Sequence, residues 1–333
     1  MPENVDVDTD SLLERLREVL APLGPVRELE PLSGGFFATA FRAVLGDGTE
    51  AVVKIAPSDT SRLLTYEHDL MRAEALVYGL ASARPDLLMP RLLATDFTRS
   101  VLDDDLVVAS FLPGEIWDRA GFGSVADDPR AARAERDLGR LMARLHTVAG
   151  PRFGYLVDDS PLVGDTWPEA FERIVEALLA DGAQWSVELP VGRIRRALAE
   201  NCGALADVAA PALIHHDLWP GNLFVDPGSG ELVGVIDPER ALWGDPLLEL
   251  VAADQSGANP LPAGLLAGYA EQAGASIDVT SPSALARLRL YRVLWSLVWI
   301  VEAVPRKYEG EFASWYVATA RANLDGALDR LGV

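Results

Sequence analysis

Two neighbouring segments, LIHHDLWPGNLFVD (213–226) and VIDPERALWGDPLLEL (235–250), constrain this chain more than any other part of it. The runs NLFVD and ELVGVID are short and apolar and are joined by PGSG, so they read as a tight hairpin. Asn222 stands at the base of the first run and Asp237 at the end of the second, with Asp217 just upstream. Such a hairpin brings an amide oxygen and a carboxylate together. These are hard ligands suited to Mg²⁺ and phosphate oxygens, and they leave Asp217 nearby, free to face a substrate hydroxyl. The adjacent His215 and His216 raise a competing reading, a zinc site. Histidine ligands to zinc usually come at helical spacing with a third ligand close by, as in H-E-x-x-H. Neighbours on a strand end point to opposite sides, and His68 and His146 lie far off in sequence.

The rest of the composition narrows the function. With 29 basic and 50 acidic residues the net charge is −21, which opposes nucleic acid and anionic membranes and suits a cationic substrate as well as plain solubility. Cys202 is the single cysteine, so neither an intrachain disulfide nor a thiolate metal cluster is available. The start, MPENVDVDTD, is polar and acidic, unlike a secretory signal. The most apolar stretch, VLWSLVWIVEAV (293–304), is too short to span a bilayer. These features point to a cytoplasmic protein.

Along the chain, DSLLERLREVLAPLGP (10–25) reads as a helix stopped by Gly24-Pro25. Strand-like runs follow: VRELEPL, ATAFRAVL and EAVVKIA, the last two separated by Gly46-Asp47-Gly48. A long helix is expected over 61–81, then RLLATDF and LVVASFL around the turn Asp103–Asp105. After FLPGE (111–115) the texture becomes helical, beginning with the amphipathic stripe Leu138, Leu141, Met142 and Leu145. The expectation is an α+β, bilobal architecture with a cleft between the lobes. Residues 1–112 form a small antiparallel β-sheet lobe with one long helix, and residues 113–333 a larger, mainly helical lobe.

The pattern His215-x-Asp217-x4-Asn222 followed by IDPERALWGDP resembles the aminoglycoside phosphotransferase family, small-molecule kinases with the protein-kinase-like fold. The resemblance takes in roughly residues 28–330. It implies a nucleotide-binding first lobe and an acceptor site on the second, with ATP and Mg²⁺ as the reaction's requirements. Lys54 in AVVKIA matches the strand lysine that holds the α- and β-phosphates, and Glu74 the helix glutamate that pairs with it, with Glu67 as a weaker candidate. Ser33, Gly34 and Gly35 would offer backbone N–H groups to phosphate, although the full G-x-G-x-x-G of protein kinases is missing. Ser110, Phe111 and Leu112 fall on the segment joining the lobes, where the backbone would bind adenine.

By the same resemblance, Asp217 would orient the acceptor hydroxyl and accept its proton, while Asn222 and Asp237 would hold Mg²⁺. His215 would shape the catalytic loop, and Asp245 in the Gly244-Asp245-Pro246 turn would brace it. His216 departs from the family, where glycine is usual. For the acceptor, the candidates are the acidic residues Glu249, Asp254 and Glu302 and the aromatic residues Trp295 and Trp299, with Glu309, Glu311, Tyr291, Trp315 and Tyr316 behind them. DLWPGN is also similar to the fructosamine kinase branch, whereas GDPLLEL fits the antibiotic kinases better. The leading expectation is an ATP-dependent O-phosphotransferase acting on an amine-bearing small molecule such as an antibiotic. Its alternative is a metabolic kinase for a ketosamine, an amino sugar or a choline-like alcohol. A binding protein on a kinase scaffold and a metal-dependent hydrolase are the readings from other classes.

Overall fold

The computed structural model of the protein describes residues 9–32, 38–57, 59–257 and 261–333. The first lobe opens with α1 (Thr9–Leu20), then β1 (Val26–Leu32), β2 (Thr39–Leu45) and β3 (Glu50–Ile55). After α2 (Leu70–Ser82) come β4 (Leu92–Asp96) and β5 (Leu106–Ser110). The five strands form one antiparallel sheet in the order β1-β2-β3-β5-β4. All five strands expected from the sequence are present.

Alternation along the strands divides this sheet into two faces. Ala51, Val53 and Ile55 of β3 and Leu106 and Val108 of β5 pack with Leu16 and Leu20 of α1 into a small core. Val107 and Ala109 face the other way, where Met71, Ala75 and Tyr78 of α2 join them in a much larger core that runs on into the second lobe. Lys54 lies between Val53 and Ile55 and so is directed to this second face.

The helix expected over 61–81 begins only at Leu70. Residues 60–62 and 65–67 instead make single 3₁₀ turns. Side-chain bonds compete successfully with the helix here. Thr65 donates to Asp181 from its backbone (2.8 Å) and its hydroxyl (2.7 Å), and Glu67 accepts from the backbone N–H of Leu64 (2.9 Å).

The chain crosses to the second lobe through Pro113-Gly114 and pairs at once as β6 (Glu115–Ile116). Then follow α3 (Pro129–Leu145), β7 (Phe153–Tyr155), β8 (Val163–Gly164), α4 (Trp167–Gln184), α5 (Val191–Leu205) and β9 (Ala212–Ile214). The expected hairpin is β10 (Leu223–Val225) with β11 (Leu232–Val235), and β6 adds to its outer edge in the order β11-β10-β6. Next, β12 (Leu242–Gly244) completes a four-stranded sheet in the order β8-β7-β12-β9, which the sequence reading missed because strands of two or three residues carry no alternation. Finally, α6 (Pro246–Ala253), α7 (Ala263–Ala273), α8 (Pro282–Glu302) and α9 (Gly310–Arg330) complete the chain. Among the described residues no helix is long and apolar enough to cross a membrane.

Gly114 makes the crossing possible. Its φ is +97°, and a Cβ there would meet the Val225 carbonyl at 2.7 Å. Gly114→Ala should therefore lower stability by about 1–3 kcal/mol. A denaturant midpoint unchanged from the parent protein would contradict that expectation.

Candidate active site

Three elements deliver side chains to the cleft. From β3, the Lys54 ammonium donates to Glu74 Oε1 at 2.8 Å and to Asp237 Oδ1. Glu74 is completely buried on α2. Burial alone would discharge a lysine, but the two carboxylates raise the Lys54 pKa well above its ordinary value. Glu67, the weaker candidate for this pairing, is instead tied to Arg306.

Asp237 sits in the left-handed region at φ +62°, leading a 3₁₀ turn over Pro238–Arg240. Asp237 adopts this conformation although a following proline favours extended backbone, and aspartate is among the residues that tolerate it. The ladder pairs Leu223 with Val235, and Ile236 N–H donates to the Asn222 carbonyl at 3.0 Å. Asn222 and Asp237 therefore emerge at the same end of the hairpin. Asn222 Nδ2 donates to the Asp217 carbonyl (3.0 Å) and to Asp217 Oδ2 (2.9 Å). Its Oδ1 accepts no hydrogen bond from the described residues.

Asp217 is half-buried, and its second oxygen, Oδ1, accepts from Gln255 Nε2 at 2.6 Å. Burial pushes its pKa up to about 6, opposed mainly by the positive charge of Arg240. Arg240 is itself anchored on Glu302 (3.1 Å) with its guanidinium over the Tyr66 ring. Glu239 faces the same cluster of charges, and burial raises it to about 8 against the pull of Lys54.

The loop carrying Asp217 is shaped from beneath. His215 Nε2 bonds the Ile236 carbonyl (3.0 Å), and its Nδ1 accepts from Asp217 N–H (3.3 Å). His215 is therefore fully engaged within the loop. His216 turns the other way, at φ +68°, where glycine is the least strained residue and histidine is tolerated. Its buried ring packs edge-on to Trp295 at 4.7 Å, and burial lowers its pKa to about 3. No described group of three His, Cys, Asp or Glu side chains could hold a metal ion between them, and the two imidazoles diverge. The hydrolase reading thus loses its only support.

Asp245 does not brace this loop directly. It caps α6 through Leu247 N–H (3.1 Å) and pairs with Arg287 (2.6 Å) and the Tyr291 hydroxyl (2.5 Å). The brace is Glu249, expected to meet substrate but fully buried on α6. Its two oxygens accept the backbone N–H groups of His215 (2.6 Å) and His216 (2.9 Å).

On the joining segment, Ser110 N–H is committed to the Arg91 carbonyl (2.9 Å) and Phe111 N–H to the Glu50 carbonyl (3.1 Å). Neither N–H is available to a base. Of the three predicted residues, Leu112 alone has a backbone N–H that meets no acceptor among the described residues. Ser33, Gly34 and Gly35 lie outside the described residues.

The sequence profile of the phosphotransferase enzyme family matches residues 28–291. The chain belongs to that family. A provisionally named ketoamine kinase of Enterococcus faecium is 28% identical over 103 residues, a match that spans 28% of this chain and 37% of that relative's length. Among solved structures, a provisionally named fructosamine-3-kinase from Thermobifida fusca is 23% identical, covers 95% of this chain and 99% of its own, and superposes with a TM-score of 0.66. A thermostable mutant of aminoglycoside phosphotransferase APH(4)-Ia, in ternary complex with AMP-PNP and hygromycin B, is 17% identical with a TM-score of 0.64 and covers 95% of this chain and 98% of its own. These structures share the bilobal, protein-kinase-like α+β fold expected from the sequence.

Most acceptor candidates on the phosphotransferase prove to be interior. In α8 thirteen residues are buried, so its aromatic side chains form core rather than a binding wall. Trp295 packs on His216, and Trp299 stacks on Tyr316 at 3.9 Å. Glu302 is buried in a network with Arg240, Arg306, Tyr66 and Tyr316. The Asp254 carboxylate is engaged by Arg292 at 3.3 Å. Trp315, Glu309 and Glu311 remain exposed. The reading missed Gln255, Glu239 and Arg240. The last two stand in the quoted DPER motif, whereas Gln255 had no signal in its own surroundings. A concavity of about 350 Å³ lined by Asp86, Arg133, Arg140, Arg144 and Glu231 shares no residue with this site.

Replacing Glu249 by glutamine turns one acceptor oxygen into a donor facing a backbone N–H. Glu249→Gln should cost about 1–3 kcal/mol of stability and most of the activity, because the carrier loop loses its brace. A melt and a transfer rate that both match the parent protein would show that the brace is dispensable.

Proposed function

We propose that this phosphotransferase moves the γ-phosphate of ATP to a hydroxyl of a small, polyhydroxylated, amine-bearing molecule. The observation that carries the reading is the convergence of Lys54, Glu74 and Asp237, with Asn222 and Asp217 at the same end of the catalytic hairpin. Lys54, held by Glu74, meets the α- and β-phosphates as a fixed positive charge. Asn222 Oδ1 and the Asp237 carboxylate are hard oxygen ligands that fit Mg²⁺, and no hydrogen bond from the described residues competes for the amide oxygen. Bound there, Mg²⁺ supplies charge neutralisation to the phosphates.

Asp217 orients the acceptor. The hydroxyl oxygen forms a bond to the γ-phosphorus while the bond from that phosphorus to the β,γ-bridging oxygen breaks. The hydroxyl proton passes to Asp217, and ADP leaves. Adenine is read by the backbone from Leu112 onward, since the preceding N–H groups are engaged in the sheet.

For the acceptor, an aminoglycoside-like antibiotic agrees with the GDPLLEL motif, the acidic net charge and the fold shared with an enzyme captured with hygromycin B. A ketosamine is the second reading, favoured by the ketoamine kinase match and by DLWPGN. Transfer of labelled phosphate from ATP to aminoglycosides, macrolides, nucleoside antibiotics, ketosamines and choline distinguishes the two. An absence of transfer to every acceptor, together with no Mg·ATP binding, would sink the proposal.

Two outcomes test the chemistry itself. Asp237→Ala should abolish the Mg²⁺-dependent thermal shift produced by ATP. Because Asp217 must be ionised to take a proton and burial raises it to about 6, the transfer rate should fall as pH drops through about 6. A rate that stays flat down to pH 4.5 would remove Asp217 from the base role.

A further inference from the structure

The segment that follows α6 ends on the carboxylate at the centre of the site. Gln255 Nε2 donates to Asp217 Oδ1 at 2.6 Å, and Asn222 Nδ2 to Oδ2 at 2.9 Å, so the carboxylate is held between two amides. Nor is the backbone under Gln255 a loose loop. Arg292 of α8 donates to the carbonyls of Asp254 (2.7 Å) and Gln255 (3.1 Å), and Asn323 of α9 donates to that of Ser256 (2.7 Å). Gln255 is thus delivered to Asp217 by two helices of the acceptor lobe.

Only one end of the amide is used. Gln255 Oε1 accepts no hydrogen bond from the described residues and is not sealed in the interior. A primary amide carries a donor nitrogen and an acceptor oxygen on the same carbon. With the nitrogen of Gln255 on Asp217 Oδ1, its oxygen is a second polar group close to any hydroxyl that comes up to that carboxylate.

We infer that Gln255 is the acceptor-positioning residue of this enzyme: Nε2 fixes the carboxylate oxygen that takes the proton, and Oε1 receives a hydrogen bond from a second donor on the carbon next to the reacting hydroxyl. The inference rests on Asp217 being the base of the proposed transfer. It narrows the acceptor to vicinal diols and 1,2-amino alcohols bearing an N–H. Ketosamines and aminocyclitols meet that requirement. Choline does not, because its quaternary nitrogen carries no hydrogen. Glutamine rather than glutamate fits the role, since a carboxylate has no N–H to donate to Asp217 Oδ1.

The experiment uses the full chain with Mg·ATP and, as acceptors, fructosyl-lysine, hygromycin B and choline. The parent protein should phosphorylate at least one of the first two and leave choline untouched. Gln255→Leu should raise the KM for that acceptor by about tenfold, the loss of one hydrogen bond, with the KM for ATP unchanged. Thermal melts of the parent protein and of Gln255→Leu serve as the folding control. Absence of transfer to all three acceptors overturns the proposal, as does choline turnover equal to that of the polyols. Turnover that survives Asp217→Asn sinks the base assignment and Gln255 with it. Turnover that depends on Asp217 yet ignores Gln255 sinks the present inference alone.

Discussion

Two backbone N–H groups, those of His215 and His216, point away from the cleft into the helical lobe and meet a single carboxylate. A buried carboxylate is costly unless its oxygens are satisfied, and buried N–H groups are costly unless they find an acceptor. Glu249 resolves both demands at once. Burial pulls it toward the protonated form, with a pKa near 8, while the two N–H donors favour the ionised one. Because both oxygens accept at hydrogen-bonding distance, the geometry sides with the carboxylate. The loop resting on it can then adopt the left-handed turn at His216, which presents Asp217 upward.

On the cleft side the governing quantity is charge. Lys54 lies between Glu74 and Asp237, with Glu239, raised by burial to about 8, beside them, so the cluster favours positive partners. Asp217 stands slightly apart, its proton affinity raised by burial and moderated by Arg240, so it is near the point of switching at neutral pH. The same chain therefore keeps a buried lysine charged between two carboxylates and raises the proton affinity of Asp217, by environment alone.

How far the sequence alone reveals this depends on the range of each interaction. The five strands of the first lobe and the hairpin were legible, because alternation and turn residues encode them locally, and the family resemblance pointed to Lys54, Glu74, Asp217, Asn222 and Asp237, which the fold brings together. The start of α2 was not, since Thr65 and Glu67 are claimed by Asp181 and Arg306, more than a hundred residues away. Glu249 and Glu302 were read as surface acids. Their buried partners lie at long range, though a lone acid in an apolar helix such as PLLELVAA is itself a sign of an internal pair. Gln255 could not have been found from its neighbours, because only the folding of α8 and α9 brings it to Asp217.

The crossing between the lobes is itself a strand. Ile116 and Glu115 pair with Phe224 and Val225, so the connecting chain and the strand that follows Asn222 belong to one ladder. Rotation of one lobe against the other cannot be absorbed by a slack tether at this point. It is felt as shear across backbone hydrogen bonds, beside the end of the hairpin that carries Asn222 and Asp237. The amplitude of any opening is then set by how far that short ladder can splay, and the tilt of the first lobe is mechanically coupled to the strand that follows Asn222.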